Sequence, residues 1–263
     1  MTAALFTTNG AALLEDLLQR GVSAGASLVE VFAERTDHLG LLAEQDNITS
    51  VNPSFACGAG IRVFRGERDG FVSTNDLSVD GLTRALDQAL AMLGLEIGTR
   101  DGAGAFQGLR SLVNHAATKE DWLQRCPSMA EAGDRLKQGT AHLERLGQHL
   151  QVRRGSYSRD WQEVLVAASD GTFARDIRLH QSTGLSVLAA DGDYRSSIGR
   201  RYGSTDRPED LVNWNSETSA AEVCESAGTM LRADYVEAGQ MPVVLANRFG
   251  GVIFHEACGH LLE

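Results

Sequence analysis

The chain has 263 residues, 43% of them hydrophobic, which suffices for one large or two smaller domains around a buried core. Its 35 acidic residues outnumber 24 basic ones, for a net charge of −11. That balance argues against binding to a nucleic-acid backbone, because phosphate contact needs a Lys and Arg surplus.

The N-terminal stretch Met1-Thr2-Ala3-Ala4-Leu5-Phe6 has no basic n-region and no apolar signal core. No apolar run approaches the roughly 20 residues of a membrane span, so no membrane partner is expected. Asn9 is placed to cap a helix carrying Leu13, Leu14, Leu17 and Leu18 and ending near Gly21. Strands are expected at 27–34 and 39–45, and a hairpin around Gly66-Glu67-Arg68-Asp69 between strands at 60–65 and 70–74. The stripe Leu82, Ala85, Leu86, Ala89, Leu90 and Leu93 predicts a helix over 80–93. The Gly-rich stretch 94–108 has little periodicity and reads as a linker.

A third helix is expected over 127–150 with Leu136, Leu143, Leu146 and Leu150 on one stripe. Strands follow at 152–159, 161–168, 172–180, 184–190 and 194–202, turned by Asp170-Gly171 and Asp191-Gly192 as an antiparallel meander. Residues 208–231 return to helix, and a strand at 243–246 leads into the last segment. Runs of strands and runs of helices without regular alternation predict an α+β fold. The expected organisation is an N-terminal α+β domain at 1–94, a linker at 95–116, a central helix and antiparallel sheet region at 117–232, and the start of a C-terminal domain at 233–263. Cys57, Cys126, Cys224 and Cys258 are scattered without a CxxC pair, which fits reduced thiols and a cytoplasmic protein. Of these, Cys258 reads as a small buried helix residue.

The chemistry concentrates in His255-Glu256-Ala257-Cys258-Gly259-His260, entered through Gly251-Val252-Ile253-Phe254. Two imidazoles beside a carboxylate suit a water-activating zinc site, with His255 and His260 as ligands and Glu256 as general base. In an HExxH helix the two histidines are four apart and share a face; here they are five apart. A regular α-helix would set them roughly 140° apart and about 7.5 Å along the axis, too divergent for two nitrogens about 2.1 Å from one ion. A π-type turn is therefore expected, eased by Gly259. His115, His142, His149 and His180 have no ligand spacing, although His142 and His149 are placed to share a helix face. The polar run from Arg195 to Tyr202 reads as a solvated strand face, and no G-x-S-x-G nucleophile elbow occurs.

The segment from Phe249 to Glu263 resembles the signature helix of the TldD/PmbA family of metallopeptidases, in its TldD-type subunit. Gly58-Ala59-Gly60-Ile61-Arg62-Val63-Phe64 with Gly70-Phe71-Val72-Ser73-Thr74 is similar to the family's N-terminal strand pair, and Ala168-Ser169-Asp170-Gly171 to its central-domain turn. The resemblance implies a zinc peptidase acting on peptides or unfolded proteins, paired with a PmbA-type subunit that lacks the histidine motif. It also implies a third ligand, a cysteine, in a C-terminal region. The apolar helix reaching Glu263 without a Gly or Asn cap is read as the front part of a longer protein that is inactive alone. The competing reading is a non-catalytic binding or modulator subunit of a proteolytic complex.

Overall fold

The computed structural model describes residues 4–6, 10–98, 106–110, 113–246 and 250–262. Residues 1–231 and 232–263 form two separate units. The first is α+β, as the sequence predicts, and is organised by one sheet. In chain order it runs α1 (Gly10–Ser23), β1 (Leu28–Glu44), β2 (Asn47–Arg65), β3 (Arg68–Thr74), α2 (Val79–Ala91), β4 (Val113–Asn114), α3 (Trp122–Arg125), α4 (Met129–Leu146), β5 (Leu150–Ala168), β6 (Phe173–Asp191), β7 (Tyr194–Thr205) and α5 (Ser216–Arg232). The strand order is β3-β2-β1-β5-β6-β4, with β7 also on β6. All pairings are antiparallel except the short β4 against β6.

Local chemistry explains the helices. On α1, Leu14, Leu17, Leu18 and Val22 form a buried stripe, and Gly21 lets the helix approach β1 so closely that a Cβ there would lie 2.6 Å from Val29 Cγ2. The cap position Asn9 is outside the described residues. Ser78 caps α2 by accepting from the Gly81 amide at 3.1 Å. Ser128 and Glu131 make a reciprocal capping box at the start of α4, a signal present in the sequence and missed there. The helix expected over 127–150 stops at Leu146, so His149 leaves the helix, with φ 60°, and does not share a face with His142. The helix expected from 208 begins only at Ser216, because the Asn215 side chain accepts from the Thr218 amide and caps it there.

The strands are longer than their hydrophobic patterns suggest. The two segments expected at 27–34 and 39–45 are one strand, and the five expected at 152–202 are three. Thr36, Asp37 and His38 break the apolar alternation, yet β1 is paired on both sides there, with Ala56, Phe55 and Ser54 of β2 and with Gln162, Trp161 and Asp160 of β5. Arg159 bonds Asp37 and His38 Nδ1 lies 2.7 Å from Asp160 Oδ1, so the polar centre stays in the ladder. Gly66, Gly171 and Gly192 turn the hairpins at positive φ (61°, 98° and 57°), a conformation that suits glycine.

One face of the sheet carries the core. Val29, Val31, Ala33, Ile61, Val63, Leu165 and Ala167 pack under α1 and α2. Leu39, Leu41, Ala43 and Tyr157 meet Ala132 and Leu136 of α4, and Leu185, Val187 and Ala189 meet Leu143, Ala220 and Val223 of α4 and α5. Between these clusters lies a polar belt in which Glu163, 0% exposed, is held by Arg35 and Arg175.

The second unit has little regular structure. The strand expected at 243–246 pairs with nothing among the described residues, since an extended segment becomes a strand only when a neighbour takes its hydrogen bonds. It leads to α6 (Gly250–Phe254) and a π turn over His255–Gly259. Val244 is 96% exposed and Leu262 87%. No helix among the described residues is long and apolar enough to cross a membrane.

Candidate metal centre

The entry to the site is short. The Gly250 amide donates to the Ala246 carbonyl at 3.0 Å and starts α6, which after Phe254 widens by one residue. The His260 amide then donates to the carbonyl of His255, five residues back, at 3.2 Å. This i to i+5 bond is the distortion that the spacing demands, and it brings the two imidazoles together. Their ring centres are 4.5 Å apart, with planes tilted by 60°. One ligand atom from each of His255, Glu256 and His260 falls within 4.8 Å of the others, and Glu256 Oε2 lies 3.8 Å from His260 Nε2. No other such grouping of three occurs among the described residues.

Gly259 has a sharper reason than flexibility. A Cβ at this position would sit 2.8 Å from His255 Nδ1, so a side chain there displaces the first imidazole. The next residue back, Cys258, is exposed and not the buried filler expected from its place in an apolar helix. All three residues of the cluster are exposed.

The donor set fits a divalent ion of the zinc type. Two nitrogens each about 2.1 Å from a shared tetrahedral centre lie about 3.4 Å apart, which small side-chain rotations reach from this arrangement. Two imidazoles leave a further protein ligand to be supplied, and Glu256 lies beside them as an acceptor.

Three of the five remaining histidines are engaged elsewhere: His38 with Asp160, His142 with Arg145 at 3.1 Å, and His180 with Thr205 at 3.3 Å. Burial raises the thiol pKa of Cys57 and Cys224, and pushes Cys126 up to about 11, so none of these is a ready thiolate nucleophile. On β7, Arg200 donates to Ser226 and Tyr202 to Glu222, both on α5, which ties part of the polar run to its own helix. The Arg35–Glu163–Arg175 group had no sequence signal, because its members are 128 and 12 residues apart and only strand register unites them.

Residues 29–93 match PmbA/TldA metallopeptidase domain 1, and residues 115–231 match the PmbA/TldA metallopeptidase central domain. The chain is 26% identical over 259 residues to the Metalloprotease TldD homolog of Buchnera aphidicola, covering 95% of this chain and 51% of the relative. It is 28% identical over 219 residues to the Metalloprotease TldD homolog of Haemophilus influenzae, covering 78% and 43%. The chain thus spans about half the length of these relatives or less. Its fold is similar to a solved protein of Thermotoga maritima described as a modulator of a DNA gyrase, with TM-score 0.67, 14% identity, and 87% of this chain and 50% of that one covered. It is also similar to TldE of Thermococcus kodakarensis, with TM-score 0.58, 14% identity, and 82% and 47% covered.

Proposed function

This chain belongs to the TldD/PmbA family of metallopeptidases, and we propose that it supplies the catalytic motif of a zinc peptidase, as its TldD-type subunit. The observation that carries the reading is the π turn that makes His255 and His260 converge with Glu256 alongside. His255 and His260 would hold the zinc, with a cysteine C-terminal to residue 263 as the third protein ligand implied by the family resemblance. When bound, zinc supplies a water of lowered pKa and polarises a carbonyl.

The chain's own residues do the rest. The π turn orients both imidazoles toward one point, and Gly259 leaves room for that orientation. Glu256 is not needed as a ligand; its carboxylate takes the proton of the attacking water and returns it to the leaving amine. The substrate class is peptides or unfolded protein segments, the location is the cytoplasm, and the partner is a PmbA-type paralogue. The likeness to TldE supports a paralogous pair. This segment alone holds too few ligands to work. A binding or modulator subunit is the competing reading, since a structural neighbour carries the modulator description, but a structural site has no use for a general base.

The test uses the full-length protein with its PmbA-type partner and a fluorogenic unfolded peptide. Glu256→Gln should keep its metal while cleavage falls by roughly 10²-fold or more. Normal cleavage by the variant removes Glu256 as the base, and loss of metal makes it a ligand. A wild-type pair that cleaves no peptide transfers the assignment to the modulator reading.

A further inference from the structure

A cavity of about 500 Å³ opens beside the polar belt of the sheet, in the first unit. Its walls include Phe6, Leu165 and Phe173, with Arg35, Trp161 and Arg175 among them. The volume is within the range of small-molecule sites, and an apolar wall with a few convergent polar groups is their usual composition.

The polar groups are unequally engaged. Glu163 of β5 is fully buried, with Arg35 facing it on β1 and Arg175 diagonal to it on β6. All three nitrogens of Arg175 are engaged: its Nε and Nη2 both lie 2.5 Å from Glu163 Oε1, and its Nη1 donates to Glu120 at 2.9 Å. Arg35 gives Glu163 only its Nε. Its guanidinium carbon is 5.1 Å from the ring centre of Phe6 and 5.2 Å from that of Trp161, so two aromatic rings fix the plane of the fork. Its two terminal nitrogens meet no acceptor among the described residues, and the side chain is 25% exposed, so they are not buried. Trp161 Nε1, by contrast, is buried without a hydrogen-bond partner among the described residues.

Two guanidiniums face one buried carboxylate, and the second carboxylate, Glu120, is exposed. Glu120 also lines the cavity and pairs with Arg175, so the charges there balance and the free capacity lies in the Arg35 fork, beside the apolar side chains of Phe6, Leu165 and Phe173. A planar Arg fork matches a carboxylate in two parallel hydrogen bonds.

We propose that this cavity binds an organic carboxylate with an apolar substituent, its oxygens on the Arg35 terminal nitrogens and its body against Leu165 and Phe173. Phosphate fits less well, because the side chains of Phe6, Leu165 and Phe173 offer it no donors. A peptide C terminus and a free acid present the same chemistry, and they are separated experimentally. The site stands independently of the metal centre and of its proposed activity.

The experiment is calorimetric titration of the chain with N-acetyl-leucine, N-acetyl-leucinamide and the tripeptide Ala-Ala-Leu, followed in parallel by the Trp161 indole resonance, assigned by its loss in Trp161→Phe. The acid should bind at least tenfold more tightly than the amide and shift that resonance. Arg35→Lys keeps a charge beside Glu163 but loses the fork, and should weaken the acid at least tenfold. Comparable binding of Ala-Ala-Leu assigns the site to peptide C termini, and its exclusion while N-acetyl-leucine still binds assigns it to free acids. Equal binding of acid and amide by the wild type, or no acid binding, overturns the proposal without any variant having to fold. So does an Arg35→Lys protein that binds the acid as the wild type does.

Discussion

The two units invest in different things. In residues 1–231 the paired strands and the helices over one face bury leucines to 0% exposure, including Leu14, Leu17, Leu82, Leu86 and Leu143. In residues 232–263, which hold the cluster most suited to chemistry, Leu261 is 81% exposed and Val244 is 96% exposed. The first unit derives its form from burial, whereas the site derives its form from one backbone irregularity. Stability and reactivity are thus set by different physics in the two regions, and substitutions should separate them.

The largest effect belongs to the belt. Glu163→Ala strands two arginines around an empty carboxylate position and should destabilise the first unit by about 3–5 kcal/mol in denaturant unfolding. A loss under about 1 kcal/mol would mean that water replaces the carboxylate and that the belt is not a buried network.

A matched pair of truncations sharpens the contrast. Leu86→Ala, in the core under α2, should lower stability by about 2–5 kcal/mol. Leu261→Ala should leave it within about 0.5 kcal/mol, as for other exposed positions. Equal effects would show that the second unit shares the cooperative fold of the first.

The smallest change in stability should carry a clear change at the site. Gly259→Ala puts a methyl 2.8 Å from His255 Nδ1, so metal affinity in the full-length protein should fall about tenfold while unfolding stays near wild type, the scale on which disturbed ligand support acts. Unchanged affinity would mean that His255 approaches the ion from another rotamer.

Legibility in the sequence follows the same division. Helix stripes such as Leu82, Ala85, Leu86 and Ala89 and the glycine turns at 171 and 192 are local signals, and the α+β class followed from them. The lengths of β1, β5 and β6 were not legible, since Thr36, Asp37 and His38 look like a break until the partner strand supplies Arg159 and Asp160. The π turn was readable because five-residue spacing and convergence on one ion are incompatible with a regular helix. What Gly259 faces was not readable, because it depends on the rotamer of His255. The Arg35 cavity was invisible for the reason that β1 was: its parts meet only through register.

The central claim is that His255 and His260 share one metal ion. Metal content of the purified full-length protein, measured for wild type, His255→Ala and His260→Ala under identical conditions, tests it most directly. The account predicts about one zinc per wild-type subunit and loss of most of it in either variant, because removing one of so few ligands destroys both affinity and geometry. Full occupancy in both variants would contradict it and place the ion on other residues.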